Sequence, residues 1–311
     1  MMSYIKIARF DHWIKQLFIL PGSMVAMLLL KEKYSIVAMS NVLLSLLATS
    51  FIASANYVIN EWLDAEFDKF HPVKSKRPLV NNSFKKEFIF LEYFIFIALG
   101  VVISLLVSKY VLITELVLLL MGILYNVKPF RMKEIPYVDV LIESINNALR
   151  FLIGWFAITS MYYPPVSIVF GYWMSGGYLM SVKRFAEYRM IDDKETASLY
   201  RKSFRYYNDN NLMIYSIFLA LMAVFFLGIF LIKYKIELLL FMPFMIGLFC
   251  FYFAISFKDD SAVQRPEKLY KERNLIFYIV ILIIVFVVLM YIRIPFLDAF
   301  TTIDLVPIAG I

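Results

Sequence analysis

Apolar and polar positions along the chain fall into long blocks. Apolar stretches of roughly 17 to 25 residues, the length a helix needs to cross a hydrocarbon core of about 30 Å, lie near 17–30 (the shortest), 41–60, 88–108, 111–127, 138–158, 166–182, 210–232, 236–257 and 274–292. The pattern therefore predicts an all-α integral membrane protein with about nine transmembrane helices, forming one domain over residues 1–311. Composition agrees: 62% of the residues are hydrophobic, thirty are Phe and only 18% are charged. A soluble domain is about half apolar. The segment Met1–Lys15 lacks the short apolar core and small-residue cleavage site of a signal peptide, so the first span is expected to stay in the protein.

Charge supplies the orientation. With loops assigned alternately to two sides, 24 of the 31 Lys and Arg fall on one side, in the N-terminus and in segments 61–87, 128–137, 183–209 and 258–273. The positive-inside rule makes that side cytoplasmic, with the N-terminus inside and the C-terminus outside. The net charge of +7 is thus a topological signal that also attracts anionic lipid, and nucleic acid is not the expected partner. The lone Cys250 forms no internal disulfide, and His12 and His71 are the only histidines, too few for zinc or most Cys/His catalysis. A GxxxxGK phosphate loop is also missing from the sequence. Chemistry is left to carboxylates, Lys, Arg, Tyr and Asn.

Three polar constellations interrupt the apolar blocks. The first is "NEWLDAEFDKFHPVKSKRP", residues 60–78. If the second helix continues past its apolar part, Tyr57, Asn60, Glu61, Asp64 and Asp68 fall within an arc of about 100°, while Glu66 points away. Carboxylates gathered on one face repel unless a cation sits among them, and hard oxygens on a helix suit Mg²⁺, which completes its shell with water and phosphate oxygens. The bland alternative is an acidic, solvated helix end. His71, Lys74 and Arg77 follow at once, a sequel that fits a diphosphate or a phosphorylated sugar.

The second constellation is in the fifth span. Asp139, Glu143, Asn146, Asn147 and Arg150 share one helix face, and polar groups so deep in an apolar helix face a bundle interior or a water-filled cavity. They either line the same cavity as the first cluster or form an Arg–Glu network that locks two helices. The third, "KRFAEYRMIDDKETASLYRKSF", places Lys183, Arg184 and Glu187 after the sixth span, where Asp192, Asp193 and Lys194 read as solvated loop. Near the N-terminus, "ARFDHWIKQ" adds Arg9 and Lys15, with Trp13 as a site residue or an interfacial anchor.

These motifs resemble the UbiA superfamily of intramembrane prenyltransferases over nearly the whole chain. They are most similar to its decaprenyl-phosphate phosphoribosyltransferase branch, whose pattern runs RPxxWxKN, NDxxDxxxDxxHPTKxxRP, Asp and Arg in the fifth helix, GKRYAE, and PExxxxxR. Here the positions read Arg9, Trp13 and Lys15; Asn60-Glu61, Asp64, Asp68, His71, Pro72, Lys74, Arg77 and Pro78; Asp139 and Arg150; Lys183-Arg184-Phe185-Ala186-Glu187; and Pro266-Glu267 with Arg273. Departures are Glu61 for Asp, Gln16 for Asn, Phe10 for Pro and Val182 for Gly. Ordinary prenyltransferases carry a second acidic DxxxD motif where this chain has Lys183 and Glu187.

The resemblance implies a UbiA-like bundle with a cytoplasm-facing cavity in a bacterial cytoplasmic membrane. It implies Mg²⁺ held by Glu61, Asp64 and Asp68, and transfer of 5-phosphoribosyl from phosphoribosyl pyrophosphate to a polyprenyl phosphate. Lys15, Tyr57, Asn60, His71, Lys74, Arg77, Asp139, Glu143 and Glu187 would surround the substrates, with Lys183, Arg184 and Arg150 holding phosphates. The competing activity is transfer of an isoprenyl chain from its diphosphate to an aromatic or lipid acceptor. A transporter is the other class, but no internal repeat is visible and the charges collect at one face.

Overall fold

The structure is a computed structural model that describes residues 6–31, 35–81, 84–191, 193–258, 261–264, 269 and 271–300. Among these residues there is no strand. Nine long helical segments follow in order: α1 (Phe10–Leu30), α2 (Ile36–Asp68), α3 (Lys86–Val107), α4 (Lys109–Asn126), α5 (Val138–Ile158), α6 (Val166–Met190), α7 (Asp209–Tyr234), α8 (Ile236–Ile255) and α9 (Arg273–Tyr291). Seven of them are long and apolar enough to cross a membrane, α5 and α6 being the exceptions because charged side chains break their apolar surface. The motif residues Pro266 and Glu267, as well as Asp192 and the C-terminus beyond residue 300, lie outside the described residues.

Caps show why the helices begin where they do. Ser35 and Ser108 accept the amides of Ala38 and Val111, satisfying first-turn donors of α2 and α4. Ser108 is also the whole connection between α3 and α4. Asn208 and Asn211 form a reciprocal capping box on α7. Two helices outlast their apolar spans. The charged stretches 61–68 and 183–190, outside the apolar spans, continue α2 and α6 as helix, the first in keeping with the spacing of its carboxylates, because the end of an apolar run marks the end of the hydrocarbon and not the end of backbone hydrogen bonding.

Packing centres on α5, which touches α1, α2, α4 and α6, while α2–α3 and α6–α7 form the largest helix pairs. At the α1–α5 crossing the backbones meet: a Cβ on Gly22 would collide with the carbonyl oxygen of Phe151, and one on Gly154 with that of Ile19. Large apolar side chains such as Ile36, Leu106, Phe277 and Ile284 stay exposed on the outer surface, as lipid-facing positions do.

Candidate active site

The site grows from the last turns of α2. Tyr57, Asn60, Glu61, Asp64 and Asp68 all lie on this continuous helix, and Glu66 is exposed. Pro72 and Pro78 prevent the helix from continuing, and His71 organises the return: its Nδ1 accepts the amides of Val73 and Lys74, both at 3.1 Å. Burial, with the Lys74 ammonium beside it, pushes the His71 pKa down to about 3, so the imidazole is neutral. Its Nε2 is buried without a hydrogen-bond partner. The turn sends Arg77 back onto Asp68. Lys74 goes to Glu187, 3.4 Å away, and to the hydroxyl and ring of Tyr200. Burial foremost, with Arg77 and Arg201 adding to it, lowers the Lys74 pKa to about 8.

Each acid of the first motif has a cation of its own. Glu61 meets Arg9 at 3.3 Å, Asp68 meets Arg77, and Asp64 meets Arg131 at 3.0 Å as well as Lys133. Asn60 donates to Asp64 at 3.1 Å and also to Asn126. Arg9 and Arg131 adopt left-handed backbone, with φ of 52° and 34°. Such a conformation costs about 1–2 kcal/mol for a residue with a Cβ and is typical of functional sites.

The three carboxylates share one helix without converging. No three His, Cys, Asp or Glu side chains among the described residues form a ready-made metal cage. Asp64 and Asp68, one turn apart, line the inner cavity with Asn60, whereas Glu61 lines the outer one. This donor set nevertheless fits Mg²⁺, which needs one or two carboxylates and takes its remaining ligands from water and phosphate. Glu61 Oε1, buried with no hydrogen-bond partner, is an unmet acceptor beside them.

The second and third constellations join into one network. Arg184, 1% exposed, reaches Asp139 at 3.3 Å, Glu187 at 2.8 Å, and Glu143. Asp139 also accepts from the Tyr207 hydroxyl at 2.5 Å and from Arg201 at 3.3 Å, and Tyr125 donates to Glu143 at 2.8 Å. Both readings of these acids are therefore realised: Arg184 locks the two helices through three carboxylates, while Glu143, Asn146, Asn147 and Arg150 line the inner cavity together with it. Lys183 is looser, 4.0 Å from Glu143. Arg150 has no acidic partner among the described residues; its Nε donates to Gln16 at 2.7 Å.

Sequence reasoning missed Arg131, Lys133, Tyr125, Asn126, Tyr200, Arg201 and Tyr207. The one available signal was the basic content of segments 128–137 and 183–209. Two adjoining cavities result. The outer vestibule, about 540 Å³, is lined by seven Lys and Arg against three carboxylates. An inner chamber of about 390 Å³ runs from Asp64 and Asp68 past Tyr57 and Glu143 to Asn146, Asn147 and Arg150, with Ile14, Phe18, Leu179 and Met180 as an apolar wall. Arg9, His12, Lys15, Lys74, Arg77 and Lys183 border both. Lys15 Nζ lies 3.1 Å from His12 Nδ1, and Trp13 donates to Ser54 at 3.0 Å inside the bundle.

The fold has solved counterparts. A UbiA homologue from Archaeoglobus fulgidus bound to GPP and Mg²⁺ is 19% identical, with 90% of this chain and 99% of that chain covered at a TM-score of 0.68. An apo UbiA homologue from Aeropyrum pernix K1 is 16% identical, with 88% and 97% covered at 0.64. A structure of digeranylgeranylglyceryl phosphate synthase is 19% identical, with 93% and 96% covered at 0.60. No curated protein matches the chain in sequence. The UbiA prenyltransferase family profile matches residues 19–282, and with that match the chain belongs to the UbiA prenyltransferase family, an intramembrane transferase by fold and by descent.

Proposed function

We propose that this enzyme moves the 5-phosphoribosyl group of phosphoribosyl pyrophosphate onto the phosphate of a polyprenyl phosphate. The observation carrying the reading is the excess of cations around the adjoining cavities, together with Lys183 in place of an acid where a second acidic motif would stand. Glu187, the remaining acid there, is already paired with Lys74 and Arg184. Such a site suits substrates bringing several phosphates and one metal, not two metals.

In the reaction a phosphate oxygen of the lipid forms a bond to the anomeric carbon. The bond from that carbon to the diphosphate oxygen breaks, and its electron pair leaves with the diphosphate. Attack opposite the leaving group inverts the anomeric centre. The nucleophile needs little general-base help, since a phosphate monoester has its second pKa near about 6. Asn60, Asp64 and Asp68, with Glu61 beside them, would hold Mg²⁺, which when bound supplies charge neutralisation for the departing diphosphate. Arg77 and Lys74 close over the diphosphate from the loop, Lys133 and Arg131 stand at its other side, and Lys15 and Lys183 meet the lipid phosphate. Tyr57 and Glu143 wall the chamber, where Glu143 also steadies positive charge growing on the ribose. The lipid tail leaves along the apolar wall into the bilayer, and the vestibule faces the cytoplasm of a bacterial cell.

That apolar wall also suits an isoprenyl diphosphate, so prenyl transfer to an aromatic or lipid acceptor is the second reading. One assay decides between them. Protein in detergent with Mg²⁺ is given labelled phosphoribosyl pyrophosphate plus polyprenyl phosphate, or labelled isoprenyl diphosphate plus an acceptor panel. Label in the lipid fraction from the first mixture alone supports phosphoribosyl transfer; consumption of isoprenyl diphosphate alone overturns it.

A further inference from the structure

Six acids are buried among the described residues: Glu61, Asp68, Glu115, Asp139, Glu187 and Glu237. Five have a cation within ion-pair distance: Arg9, Arg77, Arg184 with Arg201, Lys74 with Arg184, and Lys235, in that order. Glu115 in α4 has none, and its side chain is completely shielded. Its one hydrogen-bond partner is the hydroxyl of Thr49 on α2, through Oε1, while Oε2 has no partner. The same hydroxyl lies 2.8 Å from the carbonyl oxygen of Ser45, one helical turn back.

Proton counting assigns the donors. Thr49 has a single hydroxyl hydrogen and helical threonines characteristically give it to the carbonyl four residues earlier; the contact with Glu115 then needs a hydrogen from the carboxyl. An ionised carboxylate there would have no cation and one wholly unsatisfied oxygen inside a membrane span, the most expensive state available to it. A carboxylic acid donating through its OH avoids both costs.

The position of this contact gives it a role. Above it α2 and α4 are joined by Asn56, which donates to the Leu118 carbonyl at 3.2 Å, by Asn60 with Asn126, and beyond the end of α4 by Asp64 with Arg131 and Lys133. Thr49 and Glu115 lie one turn below Ala53 and Leu118, which line the chamber. We propose that Glu115 keeps its proton within the membrane, donates it to Thr49, and as the lowest rung of this polar ladder fixes the rotation of α2 that aims Asn60 and Asp64 into the chamber. Glu115 is a positioning residue, and the proposal holds for either donor substrate.

Infrared difference spectra between the wild type and Glu115→Gln test the proton. Loss of a carboxylic C=O band that shifts in D₂O is expected; loss of carboxylate bands instead overturns the assignment. Positioning is read by Mn²⁺ binding in electron paramagnetic resonance titrations. Glu115→Gln, whose amide can still donate to Thr49, should bind as the wild type does. Glu115→Ala, or the isosteric Thr49→Val if the alanine variant does not fold, should weaken binding about fivefold, the worth of one neutral hydrogen bond. In turnover assays the Mg²⁺ requirement should rise in step while the lipid KM stays fixed. Unchanged Mn²⁺ affinity in both Glu115→Ala and Thr49→Val sinks the positioning role, and a Glu115→Gln variant as weak as alanine sinks the donor role.

Discussion

The acids of α2 and the acids joining α5 to α6 are equally rich in charge but wired differently. On α2 each carboxylate has its own cations, drawn from separate segments: Arg9 before α1, Arg77 from the loop after α2, Arg131 and Lys133 after α4. Between α5 and α6 a single guanidinium, Arg184, is shared by Asp139, Glu143 and Glu187, and Asp139 collects further donors from Tyr207, Arg201 and Ser203. Independent pairs at a cavity wall can be exchanged one at a time for substrate phosphate and metal. A shared, saturated buried network cannot be opened without stranding charges in a low dielectric. The contrast teaches that acid content alone does not mark a reactive cluster; how the countercharges are distributed does.

The sharpest way to break the comparison is to neutralise one acid on each side. Asp64→Asn or Asp68→Asn should cut turnover at least about a thousandfold, as removal of a metal-supporting charge does, with a smaller loss of melting temperature in detergent than the network variant below; EDTA should abolish turnover as well, reversed by Mg²⁺. Arg184→Ala should act through stability instead. It leaves three acids without their shared partner, a loss of about 3–5 kcal/mol, visible as a large drop in melting temperature. Equal melting curves for Asp68→Asn and Arg184→Ala would erase the distinction.

Smaller effects sharpen it. Lys183→Ala should slow turnover about ten- to a hundredfold, since a charge-assisted contact is worth about 1.5–3 kcal/mol, with little change in melting. Lys183→Asp should be worse than alanine if the position meets phosphate; an Asp variant that outperforms alanine and consumes isoprenyl diphosphate would mean a metal ligand had been restored. The mildest effect is one of pH. Because the Lys74 ammonium is disfavoured, its proton leaves as pH rises through about 8, so its attraction for an anionic donor is present below that value and fades above it. The donor KM should rise several-fold over that range in the wild type and stay flat in Lys74→Arg. For stability the sign is opposite: a lysine with a depressed folded pKa relieves the free protein as pH climbs from about 8 toward its ordinary value.

Much of this was legible in the sequence, for physical reasons that also mark where legibility stops. Apolar length located the spans, and most helix ends fall within a few residues of the predicted ones. Carboxylate spacing on α2 foretold its extension to Asp68, whereas the extension of α6 through Lys183–Glu187 went unread because mixed charges show no such one-sided spacing. The start of α1 was also hidden, since His12, Lys15 and Gln16 interrupt its apolar pattern while helping to build the site. Partners such as Arg131, Arg201 and Tyr207 could not be read, as they sit in short connections whose place is set by tertiary packing. Glu115 was likewise silent: one charged residue in an apolar span does not reveal that it faces Thr49.

Gly22 and Gly154 carry a mechanical consequence. At these two positions backbone presses on backbone with no room for a side chain that could shear or repack, and around them the side chains of α1 and α5 pack directly, so the two helices travel as one rigid body. That body carries Lys15 and Gln16 on one helix and Glu143 and Arg150 on the other. Whatever breathing admits a bulky polyanion must come from parts joined only by side chains, above all the return after α2 that bears Lys74 and Arg77, and the short helix Lys194–Tyr200 against which Lys74 rests. A disulfide pinning those two segments together should slow substrate entry, while one stapling α1 to α5 should leave it untouched.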